Sequence, residues 1–276
     1  MLAPRIAFAS SRDMLSGPVA QRRSIDHTDH RPWPLPGAPW VMGQTWRRLL
    51  FAHWPLPPEE VGRVVPAQLG LDVRDGRAWV GVTPFEVSAL RLRWSPPAPW
   101  VSGFPECNVR TYVTVDGKPG IYFFSLDAAR RLAVEAARRV YRVPYFHARM
   151  RVRDGRDGWT HYELQRRQRD GPPAELRLRY AGEGRPFHAR PGSLEHFLTE
   201  RYCLYTLDSR RRIRRADIHH RPWSLRAANG EISVNTMGEG LGLDLRGRPV
   251  LHLSDRQDVV FWPLSVVEAC TGGPVG

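Results

Sequence analysis

The sequence predicts a mainly β domain of the α+β class: a large antiparallel β-barrel or double sheet with a few packed helices. Many short segments alternate polar and apolar residues with the two-residue period of a strand. Turn residues recur between these segments, and helical periodicity is confined to a few short stretches. The 276 residues, of which 42% are hydrophobic, are enough to fill the core of one such domain.

The first 37 residues differ from the rest of the chain. They mix Arg, Pro, Ser, Asp and His with little apolar periodicity, which is typical of a flexible arm. We therefore expect an Arg/Pro-rich arm over residues 1–37, one domain over residues 38–270 and a short tail over residues 271–276.

The first half of the domain reads as a strand, a short helix and two hairpins. The helix carries prolines and glutamates at its start, where the helix dipole favours them. Asp-Gly pairs are strong signals for hairpin turns. The predicted elements are a strand at 46–54, a helix at 58–65, a hairpin over 71–85 around Asp75-Gly76, and a hairpin around Asp116-Gly117 that returns through 121–125.

A longer helix is predicted next, because Leu132, Ala136 and Val140 repeat at i, i+4. Asp127 would cap its start and Pro144 would follow its end. A strand at 145–153 follows. The remaining predictions are a helix at 193–201 capped by Ser193 and strands at 159–166, 174–180, 202–207, 231–235, 250–253 and 258–262.

One predicted strand is polar along one face. Glu106, Asn108, Arg110 and Tyr112 alternate with Cys107, Val109, Thr111 and Val113, so the first four side chains point together. A carboxylate, an amide, a guanidinium and a phenol on one wall suggest a pocket. A solvent-facing strand would give the same alternation.

The net charge of +13 raises the question of nucleic-acid binding. Lys118 is the only lysine, so the basic excess is arginine. The chain is also rich in Pro, Gly and Ala, as expected for a GC-rich genome, and a solvated arginine surface explains the charge better. The densest basic run is residues 209–215. It could bind phosphate groups, or it could form an exposed hairpin edge whose charges prevent pairing with another strand.

No apolar run is long enough to cross a bilayer, and the first residues do not form a secretory signal, so no membrane partner is predicted. Cys107, Cys203 and Cys270 are far apart and odd in number, which argues against a disulfide framework and fits a reducing cytoplasm.

No cofactor or metal is predicted, because no phosphate-binding glycine loop follows a strand. Adjacent His219 and His220 would point in opposite directions on a strand, and no third ligand has suitable spacing.

Several strings resemble the bacterial YqjF-like proteins, a family of unknown function. The resemblance spans about residues 43–262, and its strings are RTYV (110–113), GIYFFSLDA (120–128), VPYFHARM (143–150), FLTERYCLYT (197–206) and IHHRPWSLRAA (218–228). A more distant resemblance joins residues 56–69 and 104–146 to the acetoacetate decarboxylases, which implies a large antiparallel β-barrel with a central cavity.

In those enzymes a lysine within a Pro-Lys-Lys motif forms a Schiff base with a keto acid. The matching positions here are Tyr145 and Phe146, after Pro144, and neither can form an imine. Lys118 lies in a D-G-K-P-G turn, where lysine is normally solvated. Acetoacetate decarboxylase activity is therefore not expected, although the barrel and cavity are.

The same resemblance places Arg47 and Glu106 where the decarboxylases carry a cavity arginine and glutamate. Such a pair could orient a carboxylate or carbonyl ligand and move a proton, or could be a buried ion pair without a ligand. Arg110 could receive an anion. Tyr145 and His147 share a face of the strand that would carry the lysine, and a structural role for His147 is the alternative.

We therefore predict an uncharacterised YqjF-like protein that binds, and could turn over, a small organic acid or carbonyl compound. Glu106 is the candidate catalytic group, and the candidate ligand-binding residues are Arg47, Arg110, Tyr145 and His147. The alternatives are a non-enzymatic ligand-binding or regulatory barrel and, with less support, an arginine-rich nucleic-acid-associated protein. The sequence leaves a homo-oligomer open.

Overall fold

A computed structural model describes residues 11–97, 102–130, 143–166 and 171–267 of the chain. Its strands form a single sheet, and most neighbours run antiparallel. The strands are β1 (Met42–Leu56), β2 (Gly70–Leu71), β3 (Ala78–Leu92), β4 (Phe104–Val115), β5 (Lys118–Ala128), β6 (Tyr145–Asp154), β7 (Thr160–Arg166), β8 (Ala174–Phe187), β9 (Cys203–Leu207), β10 (Ile213–His219), β11 (Leu225–Asn235), β12 (Val250–Phe261) and β13 (Ser265–Val266). The helices are α1 (Ser11–Ser24), α2 (Pro58–Gly62), α3 (Leu194–Thr199) and a 3₁₀ turn at Glu239–Leu241.

The sheet closes on itself twice. Strands β12, β1, β3, β4 and β5 form a shared wall. Strands β6, β7, β8 and β11 join the two ends of this wall on one side, and β9 and β10 join them on the other. Parallel pairing occurs where β5 meets β6 and β9. The predicted mainly β, barrel-like class with few helices is confirmed.

The alternation of side chains gives the shared wall two buried faces. One face packs into the larger hydrophobic core with β7 and β8; it includes Leu50, Ala52, Val80, Cys107 and Val109. Because successive side chains point to opposite faces, Glu106, Asn108 and Arg110 lie on the other side, towards β9 and β10. The main core and the polar row are therefore separated by the thickness of a single sheet.

Most predicted elements are present, with local differences. The turn between β4 and β5 has Asp116 and Gly117 at φ 48° and 73°, the left-handed conformation of a tight hairpin turn. Ser193 caps α3 by accepting a hydrogen bond from the His196 amide at 3.2 Å. The two strands predicted at 250–253 and 258–262 are one continuous strand, β12.

Three predictions need correction. Asp127 does not cap a helix; it lies inside β5, and most of the helix predicted after it falls on residues 131–142, outside the described ranges. The turn at Asp75-Gly76 is present, but the short strand before it pairs with β4 and not with β3. The basic run at 209–215 leads into a strand, β10, that the sequence did not predict, because its arginines obscure the apolar alternation.

The expected flexible arm is instead helical over Ser11–Ser24, where α1 packs on β1, β3 and β12. Polar contacts hold it: Asp13 is 3% exposed and Gln21 is fully buried. The predicted domain end at residue 270 and the tail after it lie outside the described ranges.

Among the described residues, no helix has both the length and the apolar character needed to span a membrane.

Candidate functional site

A cavity lies between the shared wall and strands β9 and β10. The space open to the centres of water-sized molecules is about 70 Å³, enough for several waters or one small organic molecule. Most of the lining is apolar and includes Trp46, Phe85, Phe123, Leu126, Ile218 and Phe261. The polar part of the lining includes three consecutive inward-facing residues of β4.

The polar row of β4 supplies the functional groups of this cavity. Glu106, Asn108 and Arg110 line it, and each is at most 7% exposed. Tyr112 is fully buried beyond the cavity, where its hydroxyl donates to the carbonyl oxygen of Leu198 at 2.6 Å and contacts His53 Nε2 at 2.6 Å. A solvent-facing strand, the alternative interpretation of this alternation, does not fit, because the whole row is buried.

Glu106 lies at one end of the polar row of β4 in the cavity. The Tyr145 hydroxyl donates to its carboxyl oxygens at 3.3 and 3.4 Å. With the Asn108 amide nitrogen turned towards Glu106, that nitrogen donates to Oε1 at 3.1 Å. Burial raises the pKa of Glu106 to about 8, although the hydrogen bonds from Tyr145 and Asn108 act in the opposite direction. Glu106 is therefore mostly a neutral carboxylic acid at pH 7.

Arg110 lies at the other end of the cavity-lining part of β4, four residues and about 13 Å further along the strand. One guanidinium nitrogen donates to the Leu198 carbonyl oxygen at 3.2 Å, and the guanidinium lies 5.2 Å from the Phe51 ring centre. Its buried Nε has no partner. Within the described part of the chain, no carboxylate forms an ion pair with Arg110, so its positive charge is uncompensated.

Further polar residues that the sequence analysis did not assign to the cavity also line it, among them Arg201 and His220. Arg201 donates to Asp72 Oδ2 at 2.6 Å, so its charge is already neutralised. His220 contacts the carbonyl oxygens of Arg221 and Arg201, and burial lowers its pKa. In the structure Arg201 lies in a loop after α3 and His220 in a loop after β10, where strand alternation gives no signal about direction.

The structure places Arg47 outside the cavity, which corrects the expectation drawn from the decarboxylase resemblance. Its guanidinium binds Asp13 of α1 at 3.2 Å, and its side chain is 38% exposed. The neighbouring residue Trp46 lines the cavity, so Arg47 points to the other face of β1. Arg47 and Glu106 do not form a pair.

Of the two candidates on β6, Tyr145 lines the cavity and contacts Glu106, whereas His147 is half-buried and does not line it. His147 lies opposite Ala128 at the point where β6 leaves β5. The structure thus brings together Glu106, Arg110 and Tyr145, and leaves Arg47 and His147 outside the cavity.

Lys118 and Ser125 have structural partners. Lys118 is not a solvated turn residue: its Nζ lies 2.7 Å from Asp217 Oδ1, and its side chain is 13% exposed. The Ser125 hydroxyl accepts from Arg166 at 2.9 Å, next to the buried ion pair between Arg166 and Asp127. Neither residue lines the cavity.

The two adjacent histidines point to opposite sides, as predicted. His220 faces the cavity, and His219 Nε2 contacts the Ser24 carbonyl oxygen at the end of α1 at 2.8 Å. No group of three His, Cys, Asp or Glu side chains in the described ranges could hold a metal ion.

The basic run is largely ion-paired. Arg212 and Arg214 both bind Asp208, and Arg215 binds Asp217. The charges at this edge of β10 therefore have acidic partners within the protein.

Sequence comparison identifies the family. The chain belongs to the DUF2071 family, described as an uncharacterized conserved protein, whose profile matches residues 43–258. It is 44% identical over 231 residues to the uncharacterized protein YqjF of Bacillus subtilis (strain 168), covering 83% of this chain and 94% of that protein. The resemblance stated from the sequence is confirmed.

Solved structures show that the fold is acetoacetate decarboxylase-like. The decarboxylase of Legionella pneumophila is 12% identical with a TM-score of 0.58, covering 89% of this chain and 96% of its own. An acetoacetate decarboxylase-like enzyme of Sphingomonas wittichii RW1 is 13% identical with a TM-score of 0.58, and the match covers 84% of this chain and 94% of that enzyme's chain. The enduracididine biosynthesis enzyme MppR, complexed with pyruvate, is 10% identical with a TM-score of 0.58, and the match covers 86% of this chain and 94% of the MppR chain.

Proposed function

We propose that this protein binds a small organic acid or carbonyl compound in the cavity beside β4. The observation that carries the proposal is the buried, uncompensated guanidinium of Arg110. A buried charge without a partner is costly, so an anionic ligand would stabilise this site strongly. Arg110 would hold the carboxylate through charge-assisted hydrogen bonds.

Glu106 is the group that could act on the ligand. As a buried, protonated acid it could donate a hydrogen bond or a proton to a carbonyl oxygen, with Tyr145 and Asn108 fixing its position. A pKa of about 8 suits proton exchange near neutral pH. The structural neighbour MppR, complexed with pyruvate, supports a small acid as the ligand of such a cavity.

Schiff-base chemistry is not part of this proposal. Lys118 is the only lysine of the chain, it is paired with Asp217, and it does not line the cavity. The absence of a cavity lysine favours ligand binding without turnover as a second candidate. A ligand conversion that disappears in Glu106→Gln would favour the enzyme.

A cytoplasmic location also belongs to the proposal. The thiols of Cys107 and Cys203 are free and buried, and burial raises the pKa of Cys203 to about 11. Unreactive, unpaired thiols fit a reducing compartment.

Thermal melting against 2-oxo acids, hydroxy acids and aldehydes tests the proposed function. A ligand at one hundred times its Kd stabilises the folded chain by about 2.7 kcal/mol, which raises Tm by several degrees. We expect small acids to do so for the wild type, and Arg110→Gln to weaken their binding at least about thirtyfold, because a buried charge partner is lost.

The matched control is Arg47→Gln, an arginine of β1 outside the cavity, which should bind as the wild type does. If no acid or carbonyl compound shifts Tm, or if Arg110→Gln responds like the wild type, the proposed function is wrong.

A further inference from the structure

We propose that the acid bound in this cavity is a monocarboxylate with an apolar body, a short aliphatic or aromatic chain, whose carboxylate meets Arg110 and whose chain packs against the walls opposite β4. This inference rests on the proposed function and adds the class of the ligand. It follows from where the polar groups of the cavity lie, which of them are free, and how much charge they carry.

Apolar side chains line the cavity both beside and opposite the polar row of β4. One hydrophobic cluster contains Leu49 of β1 and Phe85 of β3, which lie on the shared wall next to β4, together with Trp223. A second cluster brings Leu204 and Ile218 from β9 and β10 to the opposite side. Most of the surface that a ligand would contact in this space is hydrocarbon, so burying an apolar chain there is favourable.

The other polar groups of the lining are already occupied. Arg201 binds Asp72 and the Phe197 carbonyl oxygen, and both ring nitrogens of His220 contact carbonyl oxygens. Gln44 accepts from the Trp46 indole at 2.7 Å, and the Thr199 hydroxyl donates to the Glu195 carbonyl oxygen at 2.7 Å. A ligand rich in hydroxyl groups would lose its hydration without gaining partners.

The charge of the cavity fits one anionic group. Among the described residues, no carboxylate pairs with Arg110, Arg201 is neutralised by Asp72, and burial favours the uncharged forms of Glu106 and His220. The described part of the lining offers no second unpaired cation, so the second carboxylate of a dicarboxylic acid would lie against apolar side chains or beside Glu106. The space of about 70 Å³ further limits the ligand to a small molecule.

Calorimetric titration of the full chain with acetate, butanoate and hexanoate tests this class, with glycerate and succinate as polar acids of similar size. Each added methylene should improve the affinity roughly fourfold until the cavity is filled. Glycerate and succinate should bind more weakly than butanoate. Arg110→Gln should lose the whole series, and Arg47→Gln should retain it.

The outcomes separate this inference from the proposed function. Binding of glycerate or succinate that depends on Arg110 and is at least as tight as that of butanoate would overturn the apolar class and leave the proposed function standing. Affinity that rises with chain length equally in the wild type and in Arg110→Gln would overturn the carboxylate position. If no acid or carbonyl compound binds the wild type, both proposals fail. The chain-length series is measured on the wild type, so it remains decisive even if Arg110→Gln does not fold.

Discussion

Glu106 shows how a single residue takes its properties from its surroundings. On β4 it is flanked by Pro105 and Cys107, and nothing in that local sequence predicts an unusual acid. Its protonation follows from burial on the second face of the shared wall, because removing a carboxylate from water disfavours its charged form. The closely spaced donors Tyr145 and Asn108 come from two different strands.

The raised pKa of Glu106 predicts a pH dependence of stability. The folded chain holds this proton up to about pH 8, whereas an unperturbed glutamate releases it near 4.5. The contribution of Glu106 to the free energy of unfolding is therefore fully present at low pH and is lost as the pH rises through this window.

Relative to the wild type, Glu106→Gln should gain about 1 kcal/mol of stability per pH unit between pH 5 and 8, as measured by urea unfolding. The control is Glu163→Gln, which removes the carboxylate of a glutamate whose side chain is half exposed and so reports the effect of losing a glutamate that is not buried. A flat difference for Glu106→Gln would show that Glu106 is charged in the folded protein.

At the level of elements, α1 is the part of the molecule that sequence patterns described least well. Its contact with the sheet is polar: Asp13 accepts from Arg47 and Arg256, and Gln21 Nε2 donates to the Ala89 carbonyl oxygen at 3.1 Å. Periodicity methods look for an apolar stripe, and this helix docks without one. Leu15 is in fact 79% exposed.

The close approach of α1 to the sheet predicts an unusual effect of Gly17→Ala. Alanine normally stabilises a helix relative to glycine, by about 1 kcal/mol. Here its Cβ would lie 2.6 Å from the Cβ of Ala89 and 2.9 Å from the Thr45 hydroxyl oxygen, so the helix must move away. We expect Gly17→Ala to destabilise the docked helix by about 1–3 kcal/mol.

Faster hydrogen exchange of the α1 amides would report this loss. Gly62→Ala in α2 is the control, because its Cβ would meet nothing within 4 Å, and we expect it to be neutral or mildly stabilising. If the α1 amides of Gly17→Ala keep their wild-type protection from hydrogen exchange, α1 does not approach Ala89 and Thr45 of the sheet this closely.

At the level of the whole molecule, the double closure of the sheet decides which groups can meet. The shared wall has the larger core on one side and the cavity on the other, and strands distant in sequence supply the facing walls. The same topology places the only lysine of the chain at the start of β5, where Asp217 of β10 binds it.

This arrangement predicts that the folded protein forms no Schiff base with a 2-oxo acid. Incubation with pyruvate and cyanoborohydride should leave the peptide containing Lys118 unmodified, because an ammonium held by Asp217 is a poor nucleophile. Mass spectrometry reads the result, and the urea-unfolded chain, in which the ion pair is absent, is the control. Stoichiometric labelling of Lys118 in the folded chain would contradict the prediction.

The amino-acid sequence alone was enough for the fold class, most strand positions and the polar face of β4, because alternation and turn chemistry are local properties of the chain. It also shows that Lys118 is the only lysine, whereas the position of Lys118 outside the cavity follows from the structure. It could not determine that Arg47 points away from the cavity, that Arg201 and His220 line it, or that α1 docks through polar contacts. Those facts depend on strand pairing between distant segments and on loop directions, which only the tertiary structure decides. The electrostatics of the site have the same origin, since the burial of Glu106 and Arg110, and the lack of a carboxylate beside Arg110 among the described residues, arise only when the sheet closes.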